Sequence, residues 1–214
     1  MEPGKEHPSY RVLVEAGEGY YEEKKSRFLA HIAPAKSEEE ALAFIESMRK
    51  KYYDARHNCT AFILGPDQRM TRCSDDGEPG GTAGKPMLEV LLGAELTDVV
   101  CVVTRYFGGT LLGTGGLVKA YTEAVSDGLK NAKIGTMQYG AVAGLRMSYN
   151  DVGKIQYLLS SSGIETLESE YGAEVYMQIR IPEDKYFKFV KDLTEVSAGR
   201  LQPEIHDEGY YLGI

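Results

Sequence analysis

Apolar and polar positions alternate with a period of two over residues 9–16 (SYRVLVEA) and again over 27–33 (RFLAHIA). This predicts two strands paired as a hairpin across the charged turn Glu22-Glu23-Lys24-Lys25. The period then lengthens. Ala41, Leu42, Phe44, Ile45 and Met48 share one helical stripe behind Ser37, whose S-x-x-E spacing to Glu40 is that of a capping box, so a helix is expected up to about Tyr53. Cys59 to Leu64 reads as a short strand closed by the turn Gly65-Pro66-Asp67, and Thr82 stands where it can cap a helix from Ala83 to Leu92. Val99 to Tyr106 is apolar on both faces, the pattern of a central strand. Five glycines between Phe107 and Gly116 separate it from a helix over Leu117 to Ala132, striped by Leu117, Val118, Tyr121, Ala124, Val125 and Leu129.

Periodicity weakens from Ala132 to Tyr139, which puts a boundary near Met137 and divides the chain into domains over residues 1–136 and 137–214. Beyond it, Gly140 to Tyr149 reads as a strand and Asn150 as the cap of a helix to Ser162. Ile164 to Tyr171 and Ala173 to Ile181 are strands joined at Gly172, Pro182 opens a helix to about Val196, and Leu201 to Leu212 is a last strand. The order is βαββαβ, the ferredoxin-like arrangement, so the fold class is α+β.

Composition narrows this picture only slightly. With 43% hydrophobic and 26% charged residues the chain is of ordinary globular type, and its net charge of −8 opposes a generally basic, nucleic-acid-coating surface while leaving room for a local basic patch. Three cysteines, an odd number at wide spacing, and a polar start without a leader pattern fit a reducing, cytoplasmic compartment. The longest strongly apolar run, Val99 to Val103, falls far short of the ~20 residues that span a bilayer, so no membrane is expected.

Candidate chemistry gathers between Ser74 and Tyr121. Gly108, Gly109, Gly113, Gly115 and Gly116 form a loop that opens a helix and can turn backbone N–H groups toward an anion. It is neither a P-loop nor a dinucleotide fingerprint, and the same glycines would equally serve left-handed turns and close packing. Asp75, Asp76 and Glu78 place three carboxylates within four residues. Such a set can hold Mg²⁺ or supply a general base, or can fold as a turn bonded to the next amides. Lys85 can balance that charge or touch phosphate. Arg105, Tyr106 and Phe107 end the central strand with the combination that contacts phosphate and stacks bases, and Arg105 pairing with Asp76 or Glu78 is its ordinary alternative. If that pair forms, the acidic turn and the glycine loop face each other. His57, Cys59 and Cys73 lack metal-site spacing, and neither a nucleophilic Cys–His pair nor any other catalytic set is expected.

These pieces, read together, are similar to the signature of the IMPACT/YigZ family. They are Lys25-Ser26-Arg27-Phe28, Arg56-His57-Asn58-Cys59, Ser74-Asp75-Asp76-Gly77-Glu78-Pro79, Gly81-Thr82-Ala83-Gly84 with Pro86, and Thr104-Arg105-Tyr106-Phe107-Gly108-Gly109 through Gly115-Gly116-Leu117-Val118 to Tyr121. Gly80 departs from the pattern, in which serine is more usual. The resemblance implies an amino-terminal domain of the ribosomal protein S5 domain 2-like fold, as in translocating elongation factors and GHMP-type kinases. It also implies a ferredoxin-like carboxy-terminal domain resembling the last domain of elongation factor G. Eukaryotic relatives act in translational control, so the resemblance implies a non-catalytic binding protein whose partner is the ribosome, RNA or a translation factor, with no cofactor and no metal. A nucleotide- or phosphate-binding enzyme or sensor using the glycine loop and acidic turn is the second reading. Peptidase chemistry is not supported, since His7, His31, His57 and His206 do not supply a spaced ligand set.

Overall fold

The amino-terminal alternation forms three strands where two were expected: β1 (Tyr10–Glu15), β2 (Gly17–Glu23) and β3 (Ser26–Pro34). The hairpin joins β2 to β3, and its turn is Lys24-Lys25, both at positive φ. β2 escapes a periodicity reading because its buried positions are Gly17 and Gly19, which carry no apolar signal. Glycine is required there by a close approach of backbones, described below.

Ser37 caps α1 (Glu38–Lys51) by accepting from Glu40 N at 3.2 Å, while Glu40 Oε2 reaches back to Lys36 N at 2.7 Å, one residue beyond the usual partner. β4 (His57–Leu64) follows, then β5 (Met70–Ser74), an edge strand exposed throughout and therefore without a buried face to betray it in sequence. α2 (Gly84–Gly93), β6 (Leu96–Thr97), β7 (Val99–Tyr106) and α3 (Gly113–Lys130) complete this part of the chain. The antiparallel sheet runs β2-β3-β7-β4-β5, so β7 lies at its centre as its two apolar faces require. Val99, Cys101 and Val103 of β7 belong to the core shared with α2 and α3; Val100 and Val102 pack with Ala41 and Ile45 of α1. β1 pairs in parallel with β6.

β8 (Lys133–Met147) starts earlier than expected, and is followed by α4 (Tyr149–Ser162), β9 (Glu165–Tyr171), β10 (Val175–Pro182), α5 (Glu183–Val196) and β11 (Glu204–Leu212). Antiparallel pairing in the order β11-β8-β10-β9 is the ferredoxin-like arrangement that the βαββαβ order implies. Leu145, Met177 and Ile179 of the sheet bury against Ile155 and Leu159 of α4 and Phe189 and Leu193 of α5. Pro182 takes the N-cap position of α5, and Gly163 closes α4 at φ +59°.

The structure, a computed structural model, describes residues 7–213, which divide into two units: residues 10–136, and residues 137–213 joined by 7–9. His7 secures its short segment in the second unit by bonding Glu183 Oε1 at 2.7 Å and stacking on Tyr139 with ring centres 3.7 Å apart. No helix among the described residues is long and apolar enough to cross a membrane.

Candidate functional site

Arg105 sits one residue from the end of β7 and is only 7% exposed. Its Nη1 donates to both oxygens of Glu78, at 2.7 and 2.9 Å, and Glu78 is 8% exposed. Tyr121 of α3 donates its hydroxyl to Glu78 Oε1 at 2.8 Å, and the Cys59 thiol lies 3.2 Å from that hydroxyl and 3.0 Å from the Asp75 carbonyl. A chain of buried polar groups thus links β4, the acidic turn, β7 and α3. Burial pushes the Cys59 thiol up, with the nearby Glu78, Asp76 and Asp75 adding to it, and burial likewise pushes up the Tyr121 hydroxyl. Both stay protonated at neutral pH, so Cys59 is no nucleophile. Cys101 is buried too, and Cys73 is exposed on β5.

The acidic turn is a scaffold built on Asp75. Its Oδ2 accepts from Gly81 N at 2.8 Å and its Oδ1 from Ala83 N and Gly84 N at 3.0 and 2.9 Å. Asp75 therefore caps α2 from nine residues upstream. Thr82, expected to be the cap, instead donates its hydroxyl to Pro79 O at 2.7 Å, and the N-cap residue is Ala83, without a side-chain bond of its own. Asp76, at φ +44°, accepts from Asn58 N at 2.7 Å and faces Arg49 at 3.4 Å.

Burial works to raise the Asp75 carboxyl, but the amides of Gly81, Gly84 and Ala83 outweigh it and hold the group below its ordinary value of 3.8. A depressed carboxyl contributes stability that is fully present above the unfolded value and is lost as pH falls through the folded one. Asp75→Ala is therefore expected to destabilise the protein by about 2 kcal/mol near neutral pH and by less at a pH well below the ordinary carboxyl value. Urea denaturation at both pH values checks this; an equal loss at both would refute the capping role.

A cleft of about 810 Å³ opens beside this scaffold. Of the candidates named from sequence, Glu78, Arg105, Tyr106, Phe107 and Gly113 line it, together with Arg56 and His57 of the signature and with Asp54, Leu111 and Thr114, which carried no signal of their own. Asp54 accepts from the Tyr106 hydroxyl at 2.7 Å, and Arg27 lies over the Tyr106 ring at 4.9 Å. Desolvation, helped by Asp54, raises the Tyr106 hydroxyl to about 12. Phe107 is 54% exposed and Leu111 82% exposed. The guanidinium carbon of Arg105 is 5.5 Å from the Phe28 ring centre and 5.7 Å from that of Phe107. Arg105 Nε is buried with no acceptor, a state that costs about 1–3 kcal/mol.

Other candidates fall elsewhere. Lys85 is exposed on α2, 3.9 Å from Glu89, and Asp76 serves β4 and Arg49; neither lines the cleft. Gly108 packs on the β2–β3 turn, where a Cβ would stand 2.1 Å from Lys25 C. Gly109, at φ +90°, has open space around it. Gly115 and Gly116 are not loop residues: with Gly113 and Thr114 they form the first turn of α3. Among the described residues no group of three His, Cys, Asp or Glu side chains is placed to hold a metal ion.

Fold and cleft together define a two-domain α+β protein, a ribosomal protein S5 domain 2-like unit followed by a ferredoxin-like one. Residues 24–129 match the Impact N-terminal domain, and residues 145–200 match a domain of unknown function, DUF1949. The chain belongs to the IMPACT family. It is 38% identical over 192 residues to the IMPACT family member YvyE of Bacillus subtilis, covering 90% of this chain and 88% of that one. It is 40% identical over 181 residues to the IMPACT family member YigZ of Escherichia coli, covering 84% and 89%. A crystal structure of a hypothetical protein, 38% identical, superposes with a TM-score of 0.59 over 93% of this chain and 98% of the other.

Proposed function

We propose that this protein is a non-catalytic, regulatory binding protein of the translation apparatus, and that the cleft of its amino-terminal unit is where it contacts RNA. One observation carries the reading: the half-exposed ring of Phe107 stands beside Arg105, whose Nε has no acceptor, in a cleft that also holds exposed Arg56. Aromatic rings next to cations are the platforms on which unpaired bases stack. The net charge of −8 opposes RNA at long range, but salt confines charge effects to about 8 Å under physiological conditions, so the local cations govern contact. Family membership supports a role in translation, since eukaryotic relatives act there.

Co-sedimentation with ribosomes over a salt series tests the proposal. Binding is expected to fall steeply as salt rises, and Phe107→Ala to weaken it about tenfold or more, the worth of one stacked base. An absence of binding even at low salt would sink the reading, and binding indifferent to salt would replace RNA by a protein factor.

A further inference from the structure

Two independent features converge in the cleft. The first is the Arg105 guanidinium: both of its described bonds, to Glu78, use Nη1, and Nε is buried without an acceptor. The planar fork formed by Nε and Nη2 matches two oxygens of one tetrahedral anion. The second is the amino terminus of α3, an 18-residue helix whose N-cap, Leu112, makes no side-chain bond and whose first turn holds no acidic residue. Its first amides and the positive end of its dipole are left without a carboxylate. Gly113 and Thr114 bring that end into the cleft, and a Cβ built on Gly113 or Gly115 meets no atom within 4 Å, so the space beside the amides is open.

Charge at the site has been divided. Glu78 neutralises one side of Arg105, and Asp54 is engaged by the Tyr106 hydroxyl. Arg56 is exposed at the cleft and has no carboxylate partner among the described residues. A guanidinium fork, helix amides and an unpaired arginine around an open space are donors for a phosphate group, and half-exposed Phe107 offers a ring on which an attached base can lie.

We propose that the cleft is a phosphate site, in which the Nε side of Arg105 and the first amides of α3 hold the oxygens and Arg56 supplies the balancing charge. This rests on the cleft being the contact surface proposed above, and it narrows the ligand to a phosphate carried either by a free nucleotide or by RNA. A carboxylate matches the fork but has no third oxygen for the helix amides.

Titration of the full-length protein with inorganic phosphate, followed by phosphorus NMR or calorimetry, tests the site directly. Saturable binding is expected, weakened at least tenfold by Arg56→Glu, a surface change that leaves the fold intact. Arg105→Lys keeps a cation for Glu78 but removes the fork, and is expected to weaken binding similarly while melting cooperatively. No saturation up to about 10 mM phosphate, or equal affinity in wild type and Arg56→Glu, overturns the site. Adenosine monophosphate and a short single-stranded RNA then separate the sources: the tighter ligand identifies the carrier. Phosphate binding without ribosome binding supports the site with a free nucleotide as ligand and removes only the RNA contact. Ribosome binding without phosphate binding removes only the site.

Discussion

Glu78→Ala is expected to lower the melting temperature of the amino-terminal unit by about 10–20 °C, the counterpart of roughly 3–5 kcal/mol. The size follows from burial. Glu78 and Arg105 are 8% and 7% exposed, so removing the carboxylate strands a buried guanidinium and takes the acceptor from Tyr121. Desolvation, which the ion pair offsets, is then uncompensated. The double variant Glu78→Ala with Arg105→Met removes both charges, and is expected to recover more than half of the loss. Calorimetry on the three variants decides: a double variant less stable than Glu78→Ala would mean that the arginine stabilises without its partner, contrary to the buried-pair account.

Gly19→Ala is expected to be severely destabilising, at about 3 kcal/mol or more. Its Cβ would lie 2.3 Å from both Ala124 O and Gly128 N, backbone atoms of α3 that no side-chain rotation can withdraw. β2 would have to lift from α3, loosening the helix that carries Tyr121 and frames the cleft. Gly153→Ala in α4, where a Cβ meets nothing, is the control and is expected to stabilise by up to about 1 kcal/mol through helix propensity alone. Similar denaturation midpoints for the two variants would contradict the close approach.

The contrast between these two glycines also explains what could be read from sequence. β7 was legible because Val99 to Val103 are apolar on both faces, and α1 because Ser37 and Glu40 bracket its first turn. Leu145, Ile155, Met177 and Phe189 fall in step with their elements, which made the βαββαβ order visible. β2 and β5 were missed for opposite reasons: Gly17 and Gly19 bury backbone without hydrophobicity, and Met70 to Ser74 bury nothing. Residues 113–116 looked like loop because glycine disfavours helix, yet the chain enters α3 there. Tertiary placement prevailed over propensity.

The site divides in the same way. Glu78 and Arg105 were a legible pair, being opposite charges at the two ends of the signature, and they meet at 2.7 Å. Asp75 as a cap for α2 was hidden, because a side chain acting nine residues downstream leaves no local spacing to notice. Asp54 and Leu111 were hidden as well. They reach the cleft from connecting segments after α1 and before α3, and connecting segments are placed by the elements they join.

The distribution of the three cysteines has a practical consequence. Cys59 and Cys101 are sealed in the core with thiols held protonated, while Cys73 stands exposed on the outer strand of the sheet, just before the acidic turn. A thiol-reactive dye added to the folded wild-type chain should therefore attach at one position without any cysteine first being removed. Partial desolvation and the neighbouring Asp75 raise the exposed Cys73 thiol as well, so the coupling is better run at mildly alkaline pH. Attached there, two residues from Asp75, the fluorophore would watch the turn that anchors α2 while leaving the walls of the cleft unmodified.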